Sequence, residues 1–207
     1  MKPLFVYKNV AKSQLEELFT YEPKLKSLIL LDKPFTVRIM PDIYQCFVHT
    51  VISQQLSSAA VDTIWNKLLF SFKKIDPKTL SKATTEQLNA IGLSPQKISL
   101  IKKISYDIID KKLNFDKMTK WSYEEIFNKL TPYKYIGKWT VDILLLFGFY
   151  RPDMLLLEDF GVKRGLKHLY DVDEVTENLT NKIKHKIPQY LWTVFTLCLW
   201  YISNNVK

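Results

Sequence analysis

The stretch SYEEIFNKLTPYKYIGKWTVDILLLFGF, residues 122–149, contains two helices and the turn that joins them. Ser122 and Glu125 have the capping-box spacing S-x-x-E, which starts a helix by giving acceptors to amides that the first turn leaves without them, and the pattern that follows runs to Leu130. Thr131-Pro-Tyr-Lys-Tyr-Ile-Gly137 then sets a proline early and a glycine late in a short turn, and a second, strongly apolar helix is expected from Lys138 through Phe149. So short a turn leaves the first amides of the second helix at the tip of a helical hairpin. With the positive end of the helix dipole behind them, such amides bind an anion without reading sequence. Lys134 and Lys138 flank that tip. The same pattern also suits an ordinary corner between two helices with solvated lysines.

Helix starts recur on either side. Asp42-Ile-Tyr-Gln45 approximates a capping box and Thr84-Thr-Glu-Gln87 completes one, while Asp76-Pro77 and Ser94-Pro95 put an N-cap residue before a proline at the first helical position. Apolar stripes of period 3.6 follow, with Phe47, Val51, Ile52, Leu56, Ala59, Ala60, Ile64 and Leu68 after Asp42, and Ile98, Ile101, Ile104 and Ile108 after Ser94. Alternating strand patterns bounded by hairpin turns are absent, apart from a short ambiguous stretch at Phe35 to Met40. The expected architecture is all-α, with no linker and no repeat. One helical lobe is expected from about 42 to 149, and a second from 1–41 with 150–207, leaving a cleft between the lobes.

Composition narrows the function. The chain has 207 residues, with 30 Lys plus Arg against 21 Asp plus Glu and a net charge of +9, so a polyanion is the favoured partner. Lysine supplies 27 of those 30 cations, which an A+T-rich genome would also produce. The 5 glycines, at 92, 137, 148, 161 and 165, cannot be spaced as G-x-G-x-x-G or G-x-x-x-x-G-K-[ST], which excludes the usual Rossmann and P-loop nucleotide sites. Cys46 and Cys198 with His49, His168 and His185 make no four-ligand set, so no metal and no cofactor is expected. Met1–Lys8 holds too short an apolar stretch for a secretory leader, and the longest apolar run, Tyr190 to Ile202, falls short of the roughly 20 residues that span a bilayer. The expectation is an intracellular monomer, away from membranes, with both cysteines reduced.

Ile136-Gly-Lys-Trp-Thr140, followed further on by Leu157-Glu-Asp-Phe-Gly-Val-Lys-Arg-Gly165, resembles the signature of the helix-hairpin-helix DNA glycosylase superfamily, in particular its 3-methyladenine DNA glycosylase II branch. Val51-Ile-Ser-Gln-Gln-Leu-Ser57 is similar to the segment by which that family enters DNA at a lesion, and Gly92-Leu-Ser-Pro-Gln-Lys97 to its G-x-S-x-x-K helix start. The four segments stand in the family's order, with a weaker echo at Thr193 to Trp200. The resemblance implies an all-α enzyme that removes alkylated purines, 3-methyladenine or 7-methylguanine, from damaged double-stranded DNA in base excision repair.

It also implies roles for particular residues. The second acid of the family's acidic pair is catalytic and maps to Asp159. A carboxylate there can stabilise the positive charge that builds on deoxyribose as the N-glycosidic bond breaks, and can orient or deprotonate the attacking water. Glu158 competes for that role, and either residue could instead simply N-cap the helix beginning near Phe160. Trp139 stands where bifunctional relatives carry a Schiff-base lysine, so a monofunctional enzyme using water is implied. Its π-face also suits a cationic alkylated purine, a contact worth roughly 0.5 to 2 kcal/mol, although packing between helices would explain it as well. Gln55 is the implied wedge that fills the gap left by an extruded base, supported by Gln54, unless the two amides merely bond a neighbouring turn. Lys134, Ile136, Gly137, Lys138 and Thr140 would hold phosphate, and Tyr190, Trp192 and Trp200 would wall the base pocket.

Two departures stand out. The hairpin's usual first glycine is Tyr135 here, which is strained if that position needs a positive φ. Trp192 also occupies the place of an arginine that the family often carries near the start of its last helix. A glycosylase for oxidised or deaminated bases, or a helix-hairpin-helix DNA-binding protein without catalysis, are the alternatives.

Overall fold

The computed structural model describes residues 5–29 and 35–205. Residues 1–4, part of the N-terminal stretch read above, lie outside them. In chain order the elements are β1 (Val6–Asn9), α1 (Lys12–Tyr21), α2 (Leu25–Leu28), β2 (Thr36–Ile39), α3 (Ile43–Ser53), α4 (Ser58–Phe72), α5 (Pro77–Lys82), α6 (Thr85–Ala90), α7 (Pro95–Ile109), α8 (Phe115–Met118), α9 (Tyr123–Leu130), α10 (Lys138–Phe147), α11 (Phe160–Tyr170), α12 (Glu177–Lys186), a 3₁₀ turn (Gln189–Leu191) and α13 (Trp192–Asn205). The protein is mostly helical. No helix among the described residues is long and apolar enough to cross a membrane.

Among the described residues two compact units are formed, one by 40–144 and the other by 5–29 and 35–39 with 145–205. The division falls inside α10, after Leu144, rather than after residue 149. The helix itself ends at Phe147, two residues earlier than its apolar run suggests.

In the first unit the local start signals act as written. Asp42, Ser57, Asp76, Thr84, Ser94, Asn114 and Ser122 each accept the amide three residues on, and each such cap is worth about 1 kcal/mol. Thr84 with Gln87 and Ser122 with Glu125 form reciprocal capping boxes. The stripe that runs from Asp42 to Leu68 in sequence is carried by two helices, because Gln54 ends α3 and Ser57 starts α4. Phe47, Val51, Ile52, Leu68, Ile101, Ile104, Leu130 and Val141 are buried in its core.

The second unit is built on α11 against α13. Glycine decides how closely they approach: a Cβ on Gly165 would sit 2.2 Å from the Leu199 carbonyl oxygen, and one on Gly161 would sit 2.8 Å from Cδ1 of Trp200. β1 and β2 pair antiparallel, Val6 opposite Ile39, and Val37, Ile39 and Leu197 form a cluster with Phe147 and Trp200 packed on it. The ambiguous stretch at Phe35 to Met40 is therefore a strand. Its partner was not apparent in sequence because Val6–Asn9 does not alternate in polarity and no hairpin turn joins the pair. Buried Glu22 accepts from Tyr170 at 2.6 Å and Lys186 at 2.7 Å, which ties α1 to α11 and α12.

Candidate functional site

In the first unit, the chain turns sharply between α3 and α4. Gln55 is exposed and holds φ 57°, a left-handed conformation that costs a side-chain-bearing residue about 1 to 2 kcal/mol. Groups around the turn keep it in place. Lys97 crosses from α7 and donates its ammonium to the carbonyls of Ile52 at 2.8 Å and Gln54 at 2.9 Å. Burial pulls the Lys97 pKa below its ordinary value, since desolvation disfavours the charged form. Gln54 donates its amide to the Tyr135 carbonyl and to Thr140 Oγ1, both at 3.0 Å. The two glutamines thus end a helix rather than interrupt one, and they do different things: Gln54 bonds the hairpin turn while Gln55 stands out from the surface.

The hairpin is α9, the turn 131–137 and α10. Tyr135 takes φ 72°, so the position does demand the left-handed region that the usual glycine would satisfy. Asp107 on α7 anchors the turn, accepting from Tyr133 Oη at 2.8 Å and from Lys103 at 2.7 Å. Burial works to raise the Asp107 pKa, but these bonds outweigh it and hold the carboxyl below its ordinary value, while Tyr133 is pushed up to about 12 by burial and by the carboxylate. Buried Asp142 accepts from Tyr123 Oη at 2.9 Å and pairs with Lys138.

These ties sort the expected phosphate ligands. Val141 donates the first helical bond of α10, to Gly137 at 3.2 Å, so the helix itself supplies no acceptor for the amides of Gly137 and Lys138. Lys134 is exposed at the tip with its ammonium 5.1 Å from the Tyr135 ring centre. Ile136 is buried and donates its amide to Tyr133, the Lys138 ammonium is turned back to Asp142, and the Thr140 hydroxyl is buried and accepts from Gln54. What the tip presents to an anion is therefore the Lys134 side chain with the amides of Gly137 and Lys138.

Behind the turn lies a cavity of about 620 Å³, entirely within this unit. Trp139 and Tyr135 line it together with Gln54, Gln55, Gln96 and Lys97. Trp139 is half-buried there. The lining mixes aromatic faces with amides, and its one charged side chain is the ammonium of Lys97.

In the second unit, Asp159 is the N-cap of α11 and accepts the Val162 amide on Oδ1 at 3.1 Å. The same oxygen accepts Nε1–H of Trp200 at 2.7 Å. Trp200 is held flat against Phe147, ring centres 5.6 Å apart and planes 9° from parallel, and Gly161 leaves room for its indole. Glu158 points elsewhere, exposed and paired with Lys163 at 3.1 Å. Asp159 thus takes the N-cap role that was the alternative reading of that residue, and it is half-buried. Trp200, expected only as a pocket wall, is bonded to that carboxylate.

Trp192 and Tyr190 have partners of another kind. The Trp192 indole donates to the Ile187 carbonyl at 2.9 Å, and exposed Tyr190 donates its hydroxyl to Glu17, which pushes the phenol up to about 12. Among the described residues, no cluster of His, Cys, Asp or Glu has the composition to hold a metal ion.

The first unit thus carries a helical hairpin bonded to a left-handed turn, and the second a carboxylate that caps a helix. The chain belongs to the HhH-GPD superfamily of base excision DNA repair proteins, which it matches over residues 48–189. DNA-3-methyladenine glycosylase 1 of Schizosaccharomyces pombe is 28% identical over 172 residues, covering 79% of this chain and 72% of that protein. Two solved structures share the fold. DNA-3-methyladenine glycosidase from Bacillus halodurans superposes with a TM-score of 0.75 at 24% identity, over 97% of this chain and 93% of that one. The S. pombe 3-methyladenine DNA glycosylase in complex with abasic DNA gives 0.72 at 26% identity, over 89% and 95%.

Proposed function

We propose that this chain is a monofunctional DNA glycosylase that acts as an intracellular monomer on damaged duplex DNA and excises alkylated purines, 3-methyladenine and 7-methylguanine, by hydrolysis. The observation that carries the reading is Asp159, a partly exposed carboxylate whose Oδ1 is fixed by two N–H donors at 3.1 and 2.7 Å. An acid kept on a protein of charge +9 that must approach phosphate weakens binding, and so it needs a compensating role.

The chemistry follows from charge. An alkylated purine is already cationic, so its bond to deoxyribose is weak and the leaving group departs neutral. Positive charge moves to the sugar as the bond lengthens. Asp159 stabilises that oxocarbenium and takes up the proton of the attacking water, an electrostatic contribution worth about 10² to 10³ in rate where a single group of this kind is removed. Gln55 fills the stack when the nucleotide is extruded, the hairpin tip holds phosphate through Lys134 and the amides of Gly137 and Lys138, and Trp139 offers a π-face to the cationic base. The tryptophan supplies no amine for a Schiff base, and the nearby Lys97 amine is committed to two carbonyls. That supports hydrolysis without strand cleavage.

Asparagine is as good an N-cap as aspartate, so Asp159→Asn keeps α11 and removes only the charge. Single-turnover release of 3-methyladenine from alkylated duplex is expected to fall at least 100-fold in that variant with duplex affinity retained. Equal release by both proteins would place the chemistry elsewhere. Borohydride added to the wild-type protein on abasic DNA is expected to trap no covalent adduct.

The amides of Gln55 and Gln96 in the cavity lining favour a second reading, a glycosylase for neutral oxidised or deaminated bases that present donors and acceptors. A panel of duplexes bearing single lesions separates the two, since the first reading requires release to rank with the positive charge of the base.

A further inference from the structure

The turn at Gln55 in the first unit is held by groups from outside it. Gln55 occupies the left-handed region without being glycine, and α3 ends immediately before it with its last carbonyls directed along the helix axis. Those carbonyls are met by a side chain from another helix. Ser94 caps α7 and Pro95 occupies its first turn, which fixes the start of α7 so that Lys97 leaves it toward α3. Its ammonium then reaches the carbonyls of Ile52, within the last turn of α3, and of Gln54, the residue that precedes Gln55. A cation at this end also opposes the negative pole of the helix dipole. From the other side the Gln54 amide joins the same turn to the Tyr135 carbonyl and Thr140. Gln54 is thus clamped at both its main chain and its side chain, and Gln55 projects from a clamped neighbour.

We infer that Lys97 is the positioning residue of the wedge: its ammonium locks the end of α3 so that Gln55 is pre-organised to enter the duplex, and it joins extrusion of the base to the grip of the hairpin through Gln54. The inference rests on the extrusion step of the glycosylase reading, and it assigns to Lys97 no contact with base, sugar or phosphate. Its consequence is specific. Loss of the ammonium affects lesions that must be unpaired and spares those that need no unpairing.

The test compares wild type, Lys97→Met and Lys97→Gln on 3-methyladenine opposite thymine and opposite an abasic site, in single turnover at saturating enzyme. Lys97→Met is expected to lose at least tenfold in rate on the paired lesion and less than threefold opposite the abasic site, with affinity for undamaged duplex within twofold. Lys97→Gln, which keeps N–H donors without the charge, is expected to fall between wild type and Lys97→Met and provides the folded variant should the methionine protein not accumulate. In a Gln55→Ala background, replacing Lys97 is expected to cost less than twofold further, because there is no wedge left to position. Equal losses on both substrates, no loss on either, or full additivity with Gln55→Ala would each overturn the inference. If the wild-type protein releases no base at all, the glycosylase reading has failed, and fluorescence of 2-aminopurine opposite thymine still reports extrusion: equal signals for wild type and Lys97→Met would then overturn the role of Lys97.

Discussion

The N-termini of α10 and α11 use the same backbone device for opposite ends. At α10 the helix supplies no acceptor for the amides of Gly137 and Lys138, and Lys134 is exposed in the preceding turn. At α11 the amide of Val162, the third residue of the helix, is filled by the protein's own carboxylate, Asp159, which receives a second donor from Trp200. The supports differ as well. The α10 end is held by polar bonds of Gln54, Asp107 and Asp142, whereas the α11 end is set by steric closeness, two glycines bringing it against α13. Polar ties of this kind can adjust in length and angle. The contact of α11 with α13 has no such slack.

The sharpest way to break that comparison is Gly165→Ala. A methyl 2.2 Å from the Leu199 carbonyl forces the two helices apart, and overpacking of this kind costs about 3 kcal/mol, read as a lower urea midpoint with loss of base release. Trp200→Phe keeps the stacking on Phe147 but removes the donor to Asp159. A tenfold lower single-turnover rate with unchanged duplex affinity is expected, equivalent to about 1.4 kcal/mol.

The polar side of the comparison is tested by Asp107→Asn, expected to cost about 1 kcal/mol because Lys103 is half exposed to water. The sign with pH is definite. A carboxyl whose folded pKa lies below its unfolded value adds stability that is complete above the ordinary value of 3.8 and drains away as pH falls through the lowered folded pKa. Urea midpoints measured downward from pH 6 are therefore expected to fall more steeply in wild type than in Asp107→Asn. Smallest is Tyr135→Gly, which relieves a left-handed side chain at φ 72° and is expected to stabilise the protein by about 0.5 to 1 kcal/mol net of the added freedom of the unfolded chain, checked by thermal unfolding.

Legibility in the sequence follows the range of the interaction. Caps at Asp42, Thr84, Ser94 and Ser122 and the hairpin between Leu130 and Lys138 are local, and their residue types and spacing announce them. Asp159 was legible for the same reason, being an N-cap inside a recognisable motif. The bond from Trp200 to Asp159 was not, because it joins residues 41 apart through a helix crossing; the glycines at 161 and 165, four residues apart, were the available sign of close approach. The reach of Lys97 to the end of α3 spans 45 residues and depends on where two helices pack, although a lysine three residues beyond an N-cap serine was there to be questioned. The pairing of β1 with β2 failed to show for want of any turn between them.

Gly165 carries a warning for anyone judging relatives from their coding sequence. A copy of this chain altered only to alanine there would retain every acid, amide and aromatic ring named above, yet α11, which Asp159 caps, would be pushed off α13. The seat of that helix thus rests on a position that bears no functional group.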